Sequence, residues 1–221
     1  MSESLIKMNG IIKFEKTDDI ILDMKYIIDS SQKSAYQAIN VALVSRNWLI
    51  GYRIAEEILN GEDRAEYGSK VIKNLSKELT KLYGKGYTKT NLYNFYLFYK
   101  LYPKIFHSAS GKFESILSWT HYRILIQVKD KIARDWYEKE AMNESWSVRT
   151  LQRNISSQYY YRLLQTQKKS LVENEMKELT ADYQNDKLEF IKNPVVAEFL
   201  GLAQNTDFTE TELEKSIISN I

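Results

Sequence analysis

From about Asp29 to Asn60, apolar residues recur every three or four positions: Tyr36, Ile39, Leu43, Val44, Trp48, Tyr52, Ala55 and Leu59. That spacing places them on one face of a helix, and Gly61 stands where a left-handed residue closes such a helix. Residues 1–17 hold no sustained period and read as a loose N-terminal arm. A second period, Ile72, Leu75, Leu79 and Leu82, predicts a helix over about 69–83, with Lys70, Lys73, Lys77 and Lys81 in step on another side. Gly84 and Gly86 bracket a turn, and Thr88 is placed to cap the next helix with its hydroxyl. There Leu92, Phe95, Tyr96 and Tyr99 form the expected core stripe. Thr90, Tyr93 and Asn94 lie opposite in the first turns, and Leu97, Phe98 and Leu101 follow in the later ones, so only the start has a polar outer face.

Pro103 stops that helix. A further helix is expected from about Ser115 to Val128, and Asp130 opens another with Ile132, Ala133, Trp136, Tyr137 and Ala141 inward. Ser147 is the expected cap of a run read as one helix, with Val148, Leu151, Ile155, Tyr159 and Leu163 on one face. Arg149, Gln152, Arg153 and Arg162 project elsewhere. Residues 166–193 are acidic and weakly periodic and read as a linker. Asn193 and Pro194 then start a short helix, and Thr209 with Glu212 forms a capping box. The fold class is therefore all-α: a multi-helix domain over 18–165 with one or two helix-turn-helix-like units. Residues 194–221 read as the start of a further, incomplete domain.

Charge changes this picture more than composition does. The 221 residues carry a net +2, but unevenly. Residues 68–104 hold eight lysines and one acid, and residues 105–169 hold eleven basic and six acidic side chains. The segments before and after are acidic. A basic centre between acidic ends suggests a polyanion partner. The lysine stripe over 70–81 fits a solvated face. It also fits nucleic acid, on the expectation that it lacks the acids four residues away that would pair with it. The helix after Thr88 likewise fits either an ordinary core helix with a polar start or a recognition helix, whose first turns meet bases. Candidate DNA contacts are Lys85, Lys89, Thr90, Tyr93, Asn94 and Lys100, with Arg149, Gln152 and Arg153 as a second group. Arginine and glutamine are side-chain types that pair bidentately with guanine and adenine edges.

Candidate chemistry is sparse. There are no cysteines, which excludes disulfides and thiolate catalysis and fits the expected reducing, cytoplasmic compartment. His107 and His121 have no partner at ligand spacing, and His121 reads as a hydrogen-bonded helix residue. Asp182, Asp186 and Glu189 share a helical face that suits solvation better than a metal. No catalytic residue, resident metal or cofactor, small-molecule substrate or membrane span is expected. Sixteen tyrosines and four tryptophans also suit a protein interface, so a homo-oligomer or protein-interaction module stands as the alternative.

Several blocks taken together, NWLIGYRIAEE, AEYGSKVIKNLSKELTKLYGKGYTKTNL, LSWTHYRILIQVKDKIARDWYEKEAMNESWSVRTLQRNI and VVAEFLGL followed by TELEKSIISNI, resemble the N-terminal region of the YhcG-like family of bacterial nucleases. The resemblance implies a helical, helix-turn-helix-type region that is not catalytic by itself. It also implies a following PD-(D/E)xK domain that cuts phosphodiesters with a divalent metal, magnesium being expected. The sequence departs from the family where arginines usually begin the second helix of the unit, having Thr90-Asn91 and Tyr93-Asn94 instead. The PD-(D/E)xK strands are absent from it, so a chain shortened before the nuclease domain is expected.

Overall fold

The computed structural model describes residues 6–8, 12–14, 16–59, 64–105 and 117–181. The expected helices after Pro194 and the Asp182, Asp186 and Glu189 face lie outside the described residues, as do Gly61 and His107. Two short strands, β1 (Ile6–Met8) and β2 (Ile12–Phe14), pair antiparallel with Lys7 opposite Lys13. This ladder falls within the stretch read as a loose arm, and β2 packs against the first helix. All other regular structure among the described residues is helical, as the periodicity predicts.

The first helix, α1 (Ile20–Leu59), starts nine residues before the apolar period does. Its start is set by capping. Asp19 Oδ1 accepts from the Ile21 and Leu22 amides at 2.9 and 3.2 Å, satisfying two donors that a helix start leaves orphaned. The buried Asp23 carboxylate accepts from the Thr17 amide and hydroxyl. Asp23 is covered but no apolar stripe of this first part is buried, which is why periodicity does not reveal it: Ile20, Ile21, Leu22, Met24 and Ile28 are all exposed. From Ile39 onward the helix is half-embedded, with Leu43, Val44, Asn47, Trp48, Ile54 and Ile58 buried.

Two helices lie against that embedded half. α2 (Arg64–Tyr83) leads through Gly84, at φ 89°, and a 3-10 turn (Lys85–Tyr87) into α3 (Lys89–Leu101). Gly84 is in a conformation that costs a β-carbon-bearing residue dearly. Packing between α1 and α3 is the most extensive in the molecule. Its close approach depends on Gly51, where a β-carbon would stand 2.0 Å from the Phe95 carbonyl oxygen and 3.1 Å from Tyr99 Cβ. Trp48 fastens the far end, its indole N–H donating to the Tyr102 carbonyl at 2.9 Å. On α3, Leu92, Phe95 and Phe98 are buried, whereas Tyr96 is only half-buried, so Phe98 takes the core place expected of Tyr96. On α2, Leu82 is exposed rather than inward, because the chain turns away at Gly84 before that position meets α3.

The second half is α4 (Trp119–Leu125), α5 (Lys131–Asn143), α6 (Val148–Ser156), α7 (Tyr159–Gln165) and α8 (Lys169–Thr180). Ser118, Asp130 and Ser147 cap α4, α5 and α6 with their side chains. α4 joins the halves: Phe98 meets Trp119 and Tyr122 at ring separations of 5.4 and 4.9 Å. The single helix expected from Ser147 to Leu164 is broken. Ser156 and Ser157 donate to the Gln152 and Asn154 carbonyls, competing with the helical ladder, and Gln158 turns left-handed at φ 53°. Tyr137 holds the break, donating to the Asn154 carbonyl and accepting from the Tyr160 amide. Ile132, expected inward on α5, is exposed. Within the stretch read as an acidic linker, α8 packs on α6 and α7 through buried Met176 and Thr180.

Two stability predictions follow from this packing. Gly51→Ala adds a methyl group where backbone already stands, so its loss outweighs the roughly 1 kcal/mol gain in helix propensity. A net loss of about 2–3 kcal/mol is expected in urea unfolding. Glu138 on α5 is held up to about 7 by burial, assisted by Asp135 and only partly offset by the Tyr122 hydrogen bond and Arg134. A raised carboxyl contributes stability that is present below its ordinary value near 4.5 and is lost as pH rises through about 7. Glu138→Gln is therefore expected to be more stable than the parent at pH 8, by on the order of 2 kcal/mol. Urea titrations should show that gap closing below pH ~4.5.

Candidate nucleic-acid interface

The turn between α2 and α3 is built tightly by its own polar residues. The Thr88 hydroxyl accepts from the Asn91 amide, the Asn91 side chain donates to the Gly86 carbonyl at 3.0 Å, and the Thr80 hydroxyl donates to the Tyr87 carbonyl. These bonds fix the first turns of α3 relative to α2. Lys85, Lys89, Thr90 and Tyr93 are thereby exposed together, with Tyr93 52% accessible. Asn94 is half-buried. Lys100, in the last turn of α3, is exposed and lies with Nζ 5.5 Å from the Tyr96 ring centre.

Beside this surface runs a groove of about 410 Å3, formed where the end of α1, the start of α2 and the first half of α3 meet. Lys89 and Tyr93 line it, joined by Lys73 and Tyr96, over a floor that includes Ile58 and Gly68. Among the described residues no carboxylate lines it. The Tyr93 and Tyr96 rings are 6.2 Å apart, inclined at 45°. Lys73 is exposed and, like Lys85 and Lys89, makes no ion pair among the described residues. Lys70 differs: it pairs with Glu66, four residues earlier, at 2.6 Å. The lysine stripe of α2 is thus not free of acids in register, contrary to the expectation from sequence. Its first member is neutralised locally.

Lys73 and Tyr96 were missed as site residues because each belongs to a pattern with another reading. Lys73 reads as one of four periodic lysines, and Tyr96 as part of a core stripe. The usable signal was Tyr96 standing three residues after exposed Tyr93, one turn along the same helix.

The second group lies elsewhere. Arg149, Gln152 and Arg153 are exposed on α6, whose packing partners are α4, α5, α7 and α8. Nearby, a larger cavity of about 470 Å3 is lined by Trp136, Trp146 and Tyr159, by the carboxylates Glu140, Glu144 and Glu173, and by Lys169 and Lys177. Those carboxylates raise the Tyr159 hydroxyl further after burial has done so, to about 12. Three carboxylates against two lysines suit a phosphate less well than the groove by α3, whose charged lining among the described residues is Lys73 and Lys89 alone.

His121 is held by structure. Its Nε2 donates to the Trp146 carbonyl at 3.0 Å, which fixes the tautomer, and its Nδ1 accepts from the Ser118 hydroxyl. Burial lowers its basicity, the bond to Trp146 offsetting a part. Among the described residues no group of three or more histidines or carboxylates is placed to hold a metal, and no helix is long and apolar enough to cross a membrane.

No solved structure matches the chain significantly. A protein of Escherichia coli (strain K12) described as "Putative nuclease YhcG" is 30% identical over 223 residues, an alignment that covers 89% of this chain. The chain spans 58% of that relative's own length. Residues 23–162, which run from the first turn of α1 into α7, match the family described as the DUF1016 N-terminal domain. The chain belongs to that family.

Proposed function

We propose that this chain is a DNA-binding and targeting module of a nuclease-type protein, and that it does not itself cut DNA. The α2–turn–α3 unit acts as a helix-turn-helix-like element, with Lys73, Lys85, Lys89 and Lys100 meeting phosphates and Thr90, Tyr93 and Asn94 nearest the bases. The observation that carries this reading is the groove by α3, where, among the described residues, lysines without an ion pair flank an exposed tyrosine and no carboxylate intrudes. The likeness to the Escherichia coli relative described as a nuclease supports it. Cleavage, with its PD-(D/E)xK carboxylates and a divalent metal such as magnesium, is assigned to a part of such a protein that these helices do not supply.

A forked DNA probe, which offers both duplex and single-stranded arms, avoids choosing between them in advance. Fluorescence anisotropy should show log K falling linearly with log salt, with a slope of about 0.7–0.9 for each phosphate neutralised. Lys85→Glu with Lys89→Glu should weaken binding at least tenfold and flatten that slope. Binding untouched by this pair but lost with Arg149→Glu and Arg153→Glu would move the interface to α6. No binding at low salt would end the DNA reading.

A second reading, a self-associating or partner-docking module, draws on the first two turns of α1. Ile20 and Ile21 are each 70% exposed, and Leu22, Met24 and Ile28 extend the apolar surface. Light scattering tests it: a concentration-dependent mass that Ile21→Asp with Ile28→Asp abolishes would support it. A monomer at all concentrations would refute self-association.

A further inference from the structure

We infer that the groove between α1, α2 and α3 takes an unpaired nucleotide, its base stacked on Tyr93, so that the DNA recognised here is single-stranded or locally opened. This rests on the DNA-binding reading above and narrows it to one class of ligand.

The surfaces of the groove match those of an unpaired base. A duplex presents phosphates and base edges, and the faces of its bases are covered by their neighbours. Lysines alone would suffice for the first, and hydrogen-bonding side chains for the second. The groove offers something else. Its floor is apolar, with Ile58 only 8% exposed. Gly68 keeps that floor open, since a β-carbon there would sit 3.1 Å from Ile58 Cδ1 and crowd the cleft. Tyr93 and Tyr96 rise beside it, one largely exposed and one half-buried. An apolar floor beside exposed aromatic rings suits a flat, weakly polar body such as a base, whose face is available only when it is unpaired.

The charges are placed to hold the rest of a nucleotide. Lys73 comes from α2 and Lys89 from α3, so both walls of the groove carry a cation. A strand crossing the groove can thus meet one lysine on each wall while a base lies between them. Lys100, over the Tyr96 ring, extends the positive track along α3. The volume, about 410 Å3, falls in the range of pockets that enclose one small-molecule-sized ligand, which fits one nucleotide and is far too small for a duplex. Aromatic stacking with flanking lysines is sequence-tolerant because every base has a π face. The preference should therefore be for strand state more than for sequence.

The test compares a fluorescent ten-nucleotide oligothymidine with a blunt hairpin duplex of similar charge, using the full chain at one low salt concentration. The oligothymidine should bind more tightly than the hairpin. Tyr93→Ala should weaken the oligothymidine by roughly tenfold, a much larger factor than it costs the hairpin, and Tyr93→Phe should restore most of the loss. Lys89→Gln should weaken both probes. Circular dichroism confirms that each variant is folded, which the exposure of Tyr93 favours. Tighter binding of the hairpin, with Tyr93→Ala affecting both probes equally, would overturn the single-strand assignment while leaving the DNA-binding reading in place. Failure of both probes to bind would overturn the two together.

Discussion

The close crossing of α1 over α3 at Gly51 sets the geometry of everything around it. Helices with ordinary side chains at their contact stand 8–10 Å apart. Here a missing β-carbon lets the α1 backbone rest against the Phe95 carbonyl. That approach buries Leu92, Phe95 and Phe98 together, and Phe98 then receives Trp119 and Tyr122 from α4. The second half of the molecule is docked through those rings. On the other side, the same crossing leaves Tyr93 and Tyr96 at the edge of the contact, where α2 arrives to complete a groove. Core and candidate interface are thus opposite consequences of one packing decision.

The groove's character follows from which residues the crossing excludes. Lysines cannot be buried without partners, so those of α2 and α3 are driven to the rim, where they meet at the point of convergence. The turn from Gly84 to Thr88 has little freedom, because Thr80, Asn91 and Thr88 satisfy its backbone groups. The first turns of α3 are accordingly presented on a rigid support, which reduces the ordering cost of binding. By contrast, the aromatic cavity among α5 to α8 carries carboxylates. Among the described residues, the molecule therefore separates a cleft whose charged lining is lysine alone from one of mixed charge.

Much of this was legible in the residues. Helical periodicity places α2, α3 and α5 to within a few residues, and Thr88, Asp130 and Ser147 cap where their side chains predict. Periodicity failed where burial did not impose it. The first turns of α1 bury no apolar stripe, and the Ser156–Gln158 break interrupts a run whose apolar spacing continues unbroken. For the site, Lys85, Lys89, Thr90 and Tyr93 were visible as an exposed basic start to α3. Lys73 and Tyr96 were not, because the groove exists only where three helices meet, and no local pattern encodes that meeting. Nor does one encode Gly51, which on sequence is simply a glycine inside a helix. Its meaning lies in the Phe95 backbone, 44 positions away.

The central claim is one of location, and photochemical crosslinking tests it most directly. An oligothymidine carrying a single 5-iodouracil, irradiated in complex with the chain and mapped by mass spectrometry, reports which side chain lies against a base. The account predicts an adduct on Tyr93 or Tyr96. Adducts confined to Tyr159, Tyr160 or Tyr161, or an absence of adducts from a complex shown to have formed, would contradict it.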